Sequence, residues 1–495
     1  MNARRKARDG GEVSSLDGAE TFQNVDVSGI KRPCESPSGR PGEQPRGDAA
    51  RGVAARRVAL NIIDRVETQG AWADVLLGHR LSVFEPADRR LVTRLVLGTV
   101  AWRGRLDYEL GKLVSRALES LDSQVLNLLR LGLFQLRFLD GIPAHAAVDT
   151  AVRIAKEQRA TQAAAGMVNA VLRRAAKTTP VLPARQSDEL HYLSIAYSHP
   201  RWLVERLGQW FGTAGAEGLM ACNNAAAPNV ARLNLAKGTP AELLARLEAE
   251  GIRVACRGIL EETVILQDGS ALSSPARNAG LFHLQAEASQ MVARILAPPL
   301  GATVLDSAAA PGGKATHLSE LVGPRGRVVA LDVSFNGLLR VRDLARRLGH
   351  GNVFVARADA SRALPLRPQR FRHVLLDAPC TGLGTLREHP EIRWRLSPDD
   401  PARLGALQAA MLDQVAEVVA PGGVLVYAVC SFAPEETTGV LHRFLESHRQ
   451  FVLDAHPPIA DLFPADFRAD GTMLTRPDRG GRDGFFAARL IRARS

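Results

Sequence analysis

The sequence has few cysteines, and they do not form the closely spaced pairs that bind zinc. There are five among 495 residues: Cys34, Cys222, Cys256, Cys380 and Cys430. Because structural zinc sites draw their ligands from short spacings such as C-x-x-C, we expect no metal site. An odd, scattered set also lacks the pattern of a disulfide framework, which indicates a reducing compartment.

Long hydrophobic runs are missing as well. No stretch reaches the roughly 18–20 apolar residues of a membrane helix. Residues 1–6 are basic, but no apolar run follows them, so the N-terminus does not have the pattern of a signal peptide. We therefore expect a cytoplasmic protein that has no membrane partner.

Cationic residues outnumber acidic ones. The 63 Lys and Arg against 52 Asp and Glu give a formal net charge of +11, within an ordinary globular composition. Positive charge favours an anionic partner, most commonly nucleic acid, although arginine on solvated surfaces explains the excess equally well. At roughly 150 residues per domain, the length predicts about three domains.

The first half of the chain divides by composition into a tail, a helical region and a mixed module. Residues 1–50 are polar and are expected to be a disordered tail. Residues 51–180 are predicted to be an all-α domain, with helices over 89–106 and 148–174 and a break at 141–143. One helix face is marked by apolar residues at helical spacing, namely Val125, Leu128, Leu129, Leu133 and Leu136.

Residues 181–280 are predicted to be a linker and a small α+β module. A helix is expected over 200–211, and short apolar runs occupy 230–235 and 262–267.

From residue 281 to 495, short apolar runs alternate with amphipathic helical stretches, a pattern typical of a parallel sheet covered on both faces. Ligands of such α/β sheets bind beside the carboxyl ends of the strands. Buried strands are predicted at 303–306, 327–333, 352–359, 373–377 and 423–430.

A loop of small residues follows the first predicted strand. Small residues allow a ligand to approach the backbone, and the helix that starts near Ala315 offers free N–H groups. The loop is neither the G-x-G-x-x-G of dinucleotide-binding proteins, which excludes a Rossmann oxidoreductase, nor a phosphate-binding P-loop. Its residues are Ala308, Ala309, Ala310, Pro311, Gly312, Gly313 and Lys314.

Two acidic residues follow the next two strands. Asp332 ends the second strand, where a carboxylate can bind the hydroxyls of a ribose. Asp359 ends the third and is placed to meet an adenine edge. The loop and both acids together predict a nucleoside-containing cofactor.

Two cysteines follow the fourth and fifth strands. Asp377-Ala378-Pro379-Cys380 ends the fourth strand, and Cys430 ends the fifth. Because these strands are expected to be neighbours, both thiols should open onto one cleft beside the cofactor.

These motifs resemble a known family. AAAPGGK, DAPCTGLGTLREHPEIRW and YAVCSFAPEE resemble the RNA cytosine-C5 methyltransferases of the RsmB/NOP family, and residues 56–174 resemble the antitermination factor NusB. The combination points to the bacterial 16S ribosomal RNA methyltransferase B branch. The resemblance implies an all-α NusB-like domain, a small α+β module and an α/β Rossmann-like class I methyltransferase domain.

The resemblance also implies the roles of the site residues. Cys430 would be the nucleophile that attacks carbon 6 of cytosine, and Cys380 would help to resolve the covalent intermediate. Asp377 would hold the cytosine and lie beside the cofactor, S-adenosyl-L-methionine. The loop 308–314 would line the cofactor, with Asp332 and Asp359 on its ribose and adenine. Val429 stands where the family usually has Thr.

Several alternatives stay open at this point. The expected substrate is 16S ribosomal RNA or an early small-subunit assembly intermediate, bound by a monomer. The same chemistry on another ribosomal or transfer RNA is one alternative, and a non-catalytic RNA-binding or antitermination factor is another. A basic loop (Arg387, Glu388, His389, Pro390, Arg393, Trp394 and Arg395) is predicted to contact a flipped-out base and its phosphates.

Overall fold

A computed structural model of the chain describes residues 48–81, 84–267 and 274–494. The predicted tail lies outside these residues up to position 47, and so does Cys34. Among the residues that are described, no helix combines the length and apolar character needed to cross a membrane.

The N-terminal part, called here the helical unit, contains seven helices that pack around one hydrophobic core. Its central helix is buried on nearly every side, and buried Arg130 on that helix is paired with Asp107 at 2.7 Å. The helices are α1 (Asp48–Gln69), α2 (Ala73–Arg80), α3 (Pro86–Ala101), α4 (Arg103–Leu113), α5 (Ser123–Phe138), α6 (Ala144–Glu157) and α7 (Ala165–Lys177).

Two helices predicted as continuous are each divided. The stretch 89–106 contains the end of α3 and the start of α4, because Trp102 leaves helical geometry between them. The stretch 148–174 is split by a turn, where Gln158 is extended and the buried Thr161 hydroxyl donates to the Ala155 carbonyl. That side chain satisfies an end carbonyl of α6, which stops the helix.

Two further helices, α8 (Glu189–Ala196) and α9 (Arg201–Asn224), connect the helical unit to the rest of the chain. Helix α9 is interrupted at Gly212, whose φ of 72° lies in the left-handed region. The helix predicted over 200–211 therefore corresponds to its first part. Both helices share a hydrophobic cluster with Leu383 and Phe432. These two residues follow the predicted strands 373–377 and 423–430 of the C-terminal sheet.

The small module is an antiparallel sheet in the order β2-β3-β1-β4, with α10 against it. Helix α10 begins with a capping box between Thr239 and Glu242. Its elements are β1 (Asn229–Leu233), α10 (Pro240–Ala249), β2 (Val254–Arg257), β3 (Thr263–Leu266), α11 (Pro275–Asn278) and β4 (Phe282–Leu284).

The C-terminal unit is a twisted sheet with helices on both faces, where two hydrophobic clusters bury its sides. The strands are β5 (Thr303–Asp306), β6 (Arg327–Asp332), β7 (Val353–Arg357), β8 (Phe371–Asp377), β9 (Val419–Val429), β10 (Phe451–Leu453), β11 (Met473–Leu474) and β12 (Phe486–Arg492). The helices are α12 (Glu287–Leu296), α13 (Gly313–Val322), α14 (Phe335–Leu348), α15 (Ile392–Arg395), α16 (Asp400–Ala416), α17 (Thr438–Ser447) and α18 (Pro477–Gly480).

The strand order of this sheet is β7-β6-β5-β8-β9-β12-β10, with β11 against β12. The order reverses between β5 and β8, which opens a crevice at their carboxyl ends. The prediction of a parallel sheet is confirmed for the five predicted strands, which correspond to β5, β6, β7, β8 and β9 and run parallel to one another. Strand β12 was not predicted, and it runs antiparallel to both β9 and β10. The chain reaches β12 from β10 without a long crossover helix, and such a connection permits antiparallel pairing.

Strand β7 also departs from the expectation of a buried strand. It forms the edge of the sheet, and the side chains of Phe354 and Val355 are 53% and 37% exposed.

Candidate active site

Four parallel strands end side by side at the crevice. Asp306 ends β5, Asp332 ends β6, Asp377 ends β8, and β9 ends at Val429, one residue before Cys430. Since β8 pairs in parallel with both β5 and β9, Asp377 stands between the first loop and the second thiol. The expectation that the fourth and fifth strands are neighbours is confirmed.

The loop of small residues lies directly over the end of β5. The Ala310 N–H donates to the Asp332 carboxylate at 3.0 Å, which ties the loop to the end of β6. Gly312 has a φ of 114°, and a Cβ at this position would lie 3.0 Å from the Cα of Val341. Helix α13 starts at Gly313, so its free N–H groups face the same crevice.

Lys314 joins this loop to the fourth strand. Its ammonium lies 2.7 Å from the Asp377 carboxylate and 5.0 Å from the centre of the Phe485 ring. Burial alone would lower the pKa of Lys314, but the Asp377 carboxylate, together with smaller contributions from Cys430 and Asp306, outweighs burial and the pKa is raised. A permanent cation is therefore held beside the acid that precedes the first thiol.

Asp306 is a site residue to which the sequence analysis gave no role. Its carboxyl group is fully buried, and neither oxygen has a hydrogen-bond partner of normal geometry within the described residues. Burial, followed by the nearby Asp377 carboxylate, raises the pKa of Asp306 to about 7. An acid at the end of the first strand was the available signal for it.

The two thiols are in contact. The Sγ atoms of Cys380 and Cys430 are 3.1 Å apart, and both cysteines are free and partly buried. The hydrogen bond with Cys430 and then burial raise the pKa of Cys380 well above its ordinary value. Either sulfur can be the donor at this distance, and the raised pKa of Cys380 favours the protonated form of that thiol.

The two acids assigned to a nucleoside differ in their surroundings. Asp332 accepts hydrogen bonds from Ala310 N–H and, at 2.8 Å, from Ser334 N–H. Asp359 lies two residues beyond the end of β7, where its carboxylate accepts from the N–H and hydroxyl of Ser361. These two bonds lower the pKa of Asp359.

The prediction that the basic loop contacts a base and phosphates is wrong for Arg393, whose side chain is fully buried. Residues 386–396, called here the junction segment, fasten the C-terminal unit to the helices. Arg393 is fully buried and donates to the carbonyls of Ser198, Asn223 and Leu386 and to the Asn224 side chain.

The next two residues of this segment bind the helical unit. The Trp394 indole packs against its hydrophobic core, and Arg395 donates to the carbonyl of Ala71 at 2.6 Å. Trp394 and Arg395 each donate to a backbone carbonyl of the helical unit. Arg395 is exposed, and for these two residues the contact with nucleic acid stays a prediction.

Three possible metal ligands also meet at this junction. Ligand atoms of Asp74, His389 and Glu391 lie within 4.8 Å of one another. Glu391 already accepts a 2.9 Å hydrogen bond from the Ala73 N–H at the start of α2, so it holds that helix end against the segment.

A doubly wound sheet with one antiparallel strand, and a loop of small residues where its order reverses, define the C-terminal unit as a Rossmann-like methyltransferase domain. Its sequence, over residues 293–491, matches the family described as 16S rRNA methyltransferase RsmB/F. Residues 53–177 match the NusB family, and residues 199–273 match the ferredoxin-like domain of RsmF/B-like methyltransferases. The chain belongs to the 16S rRNA methyltransferase RsmB/F family.

Individual relatives agree over most of their length. The probable ribosomal RNA small subunit methyltransferase B of Bacillus subtilis is 34% identical over 441 residues, which cover 88% of this chain and 98% of that one. Ribosomal RNA small subunit methyltransferase B of Pseudomonas syringae pv. tomato is 34% identical over 446 residues, covering 88% and 96%.

Solved structures show the same architecture. The crystal structure of PH0851 aligns with a TM-score of 0.76 at 29% identity, covering 88% of this chain and 98% of that chain. NSun6 from Pyrococcus horikoshii, solved with SFG, aligns with a TM-score of 0.53 at 21% identity, covering 60% and 99%, and supports the fold alone.

Proposed function

We propose that this protein transfers a methyl group from S-adenosyl-L-methionine to carbon 5 of a specific cytosine in 16S ribosomal RNA. The observation that carries the proposal is the pair of thiols, Cys380 and Cys430, 3.1 Å apart at the ends of adjacent strands. The relatives named as ribosomal RNA small subunit methyltransferases support the substrate.

The crevice fits the proposed cofactor. Loop residues 308–314 carry no bulky side chain before Lys314, and Gly312 is packed so tightly that a Cβ would strain it. The Asp332 carboxylate is oriented by two N–H groups and keeps lone pairs for the ribose hydroxyls. Asp359 is assigned to the adenine. When bound, S-adenosyl-L-methionine supplies the methyl group from its sulfonium.

Cys430 is assigned as the nucleophile. Carbon 5 of cytosine is a poor nucleophile until a thiolate bonds to carbon 6 and the electron pair of the double bond moves to carbon 5. The thiolate, not the thiol, performs this attack. We assign Cys430 as the acceptor in the thiol pair, because the raised pKa of Cys380 favours keeping the proton on Cys380. Lys314, which is paired with Asp377, lies close enough to interact with Cys430, so the two are assigned to stabilise charge and hold the base.

Cys380 is assigned to the second half of the reaction. In the resting site, the hydrogen bond to Cys430 and the charge of Cys430 both raise the pKa of Cys380. Once Cys430 is bonded to carbon 6, it can neither accept that hydrogen bond nor carry a negative charge, so the pKa of Cys380 falls. Cys380 then releases its proton to water and, as a thiolate, accepts the carbon 5 proton. The freed electron pair restores the double bond as the bond to Cys430 breaks.

The substrate is proposed to be 16S RNA, naked or in an early small-subunit intermediate, bound by a monomer. The net charge of +11 and the NusB-like unit favour a large anionic partner.

Transfer of labelled methyl from S-adenosyl-L-methionine to unmodified 16S RNA tests this function. Wild type, Cys430→Ala and Cys380→Ala are compared on a denaturing gel that retains protein–RNA adducts, with Cys256→Ala, an exposed cysteine, as the matched control. We expect activity in wild type and control, none in Cys430→Ala, and a trapped adduct in Cys380→Ala.

Three results would contradict parts of the proposal. Full activity in Cys430→Ala would remove the nucleophile assignment. Methylation of transfer RNA but not of 16S RNA would support the proposed chemistry and contradict the proposed substrate. An adduct in Cys430→Ala but not in Cys380→Ala would exchange the roles of the thiols.

A further inference from the structure

One buried carboxylate accepts hydrogen bonds from the residues that directly follow Cys380 and Cys430. Glu436 accepts a 2.8 Å hydrogen bond from the N–H of Thr381 and a further one from its hydroxyl. The Ser431 hydroxyl donates to the same carboxylate at 2.6 Å. Thr381 follows Cys380 and Ser431 follows Cys430. Glu436 is therefore hydrogen-bonded to the residue directly after each of the two cysteines.

A second layer of side chains fixes this carboxylate. The amide of Gln408 on α16 donates to Glu436 at 3.0 Å and to the carbonyl of Pro379 at 3.0 Å. The hydroxyl of Tyr427 lies 3.0 Å from the Gln408 side-chain oxygen and 2.6 Å from the Glu436 carbonyl. Strand β9, helix α16 and both turns therefore meet at one group.

The network excludes water. The side chains of Glu436, Gln408, Tyr427 and Ser431 are fully buried, and Thr381 is 4% exposed. Both carboxylate oxygens are satisfied by four protein donors, and hydrogen bonds to a charged acceptor are about twice as strong as neutral ones. Removing the acceptor would break four buried hydrogen bonds and would leave the Thr381 N–H without its partner, which is costly in the interior.

We infer that Glu436 is a positioning residue that sets the separation of the Cys380 and Cys430 thiols. The paired strands end before the two cysteines, at Asp377 and Val429, so strand pairing alone does not fix the turns that carry the sulfur atoms. The carboxylate joins those turns at equivalent positions. The effect on methyl transfer rests on the proposed function, whereas the effect on the distance between the thiols does not.

The charge of Glu436 acts in the same direction as its geometry. It contributes to the raised pKa of Cys380, behind the larger effects of Cys430 and burial, and so helps to keep the proton on that thiol.

Two substitutions of Glu436 separate the effect of its negative charge from the effect of its hydrogen bonds. In Glu436→Gln the amide oxygen can accept from the Thr381 N–H and Gln408, while its NH₂ donates to the Thr381 and Ser431 hydroxyls. Glu436→Ala removes every bond. Glu435→Gln is the matched control, because its side chain is 26% exposed, pairs with Arg206 and lies outside the network.

The first test measures the thiol pair without RNA or cofactor. Dibromobimane, which bridges two nearby thiols and becomes fluorescent, is reacted with the full chain. We expect Glu436→Gln and Glu435→Gln to cross-link Cys380 to Cys430 at nearly the wild-type rate. Glu436→Ala should be at least about tenfold slower, since a 1 Å displacement of reacting groups can cost on the order of 100-fold. Cross-linking of Glu436→Ala at the wild-type rate would overturn the inference.

The second test uses methyl transfer and distinguishes positioning from folding. For Glu436→Ala we expect kcat to fall by at least about tenfold with little change in KM, and Glu436→Gln to restore most of it. If Glu436→Ala fails to fold, Thr381→Val and Ser431→Ala, which each remove one donor, take its place with smaller losses of the cross-linking rate. An inactive wild type that still cross-links in a Glu436-dependent way would reject the proposed function and keep this inference. Wild-type cross-linking in both donor variants would reject the inference.

Discussion

The indole Nε1 of Trp394 donates a 2.7 Å hydrogen bond to the carbonyl of Val100, across 294 residues of sequence. Trp394 belongs to the junction segment that follows the first thiol turn, whereas Val100 lies on α3 of the helical unit. The Arg103 guanidinium lies 5.1 Å from the centre of the same ring. The helical unit is thus tied to the chain that leaves the active site.

Trp394→Ala should destabilise the protein by roughly 3 kcal/mol, the lower end for a large aromatic because the ring is only partly buried. Trp394→Phe should lose only about 1 kcal/mol, from the missing N–H donor. Urea unfolding followed by circular dichroism measures both. Equal midpoints for wild type and Trp394→Ala would show that the junction contributes nothing to stability.

Alkylation of Cys380 should be slow at pH 8 and should accelerate in Cys430→Ala. The hydrogen bond with Cys430 is the largest cause of the raised pKa of Cys380, and the charge of Cys430 adds to it. Iodoacetamide labelling read by mass spectrometry over pH 7–10 measures the rates, with exposed Cys256 as the internal reference. An unchanged Cys380 profile in Cys430→Ala would contradict this coupling.

The contribution of Asp306 to the free energy of unfolding should fall as pH rises toward neutrality. Its folded-state pKa is raised to about 7 from an ordinary 3.8, so the folded protein binds the extra proton between those values. A group raised in this way stabilises the fold at low pH, and the contribution is lost as pH passes the folded pKa. Relative to Asp306→Asn, wild type should lose on the order of a few kcal/mol between about pH 4 and 7.

Thermal unfolding of both proteins across this pH range checks the prediction. The Tm of wild type should fall relative to the Tm of Asp306→Asn as pH rises. A difference that stays constant with pH would mean that Asp306 keeps the same charge in the folded and unfolded states.

Gly384→Ala should be strongly destabilising. A Cβ at this position would lie 1.8 Å from the carbonyl oxygen of Gly484, and the Gly384 N–H donates to the Cys430 carbonyl at 3.0 Å. Gly166→Ala in α7 is the matched control, because its Cβ would meet nothing within 4 Å and Ala favours a helix by about 1 kcal/mol. Thermal unfolding should show opposite shifts, and a neutral Gly384→Ala would contradict the packing argument.

Most of the secondary structure could be predicted from the periodicity of apolar residues and from the Gly and Pro residues that break helices and strands. The first predicted strand coincides with β5, and helix α5 contains all five apolar residues that marked its face. The divisions at Trp102 and Gln158 were missed, because apolar periodicity continues across both breaks. Strand β12 was not predicted either, and its antiparallel direction could not be, since a strand's sequence does not record which partner it will pair with.

The candidate site divides in the same way. The small-residue loop, Asp332, Asp377 and the two thiols follow strands, and parallel strands bring their carboxyl ends together, so their proximity follows from local pattern plus one topological rule. Glu436 gave no such signal. It is a single acid in a turn, and its significance depends on Thr381, which is 55 residues away in sequence.

The sequence by itself determined the class of protein, the order of its units and the two thiols, because these depend on motifs whose residues are close together along the chain. Only the tertiary structure decided what Arg393, Trp394 and Arg395 do, and that one buried carboxylate links both thiol turns. The physical reason is that a hydrogen bond needs its partner within about 3 Å. For a charged or aromatic side chain, whether that partner is a distant carbonyl or a nucleic acid is settled only when the chain has folded.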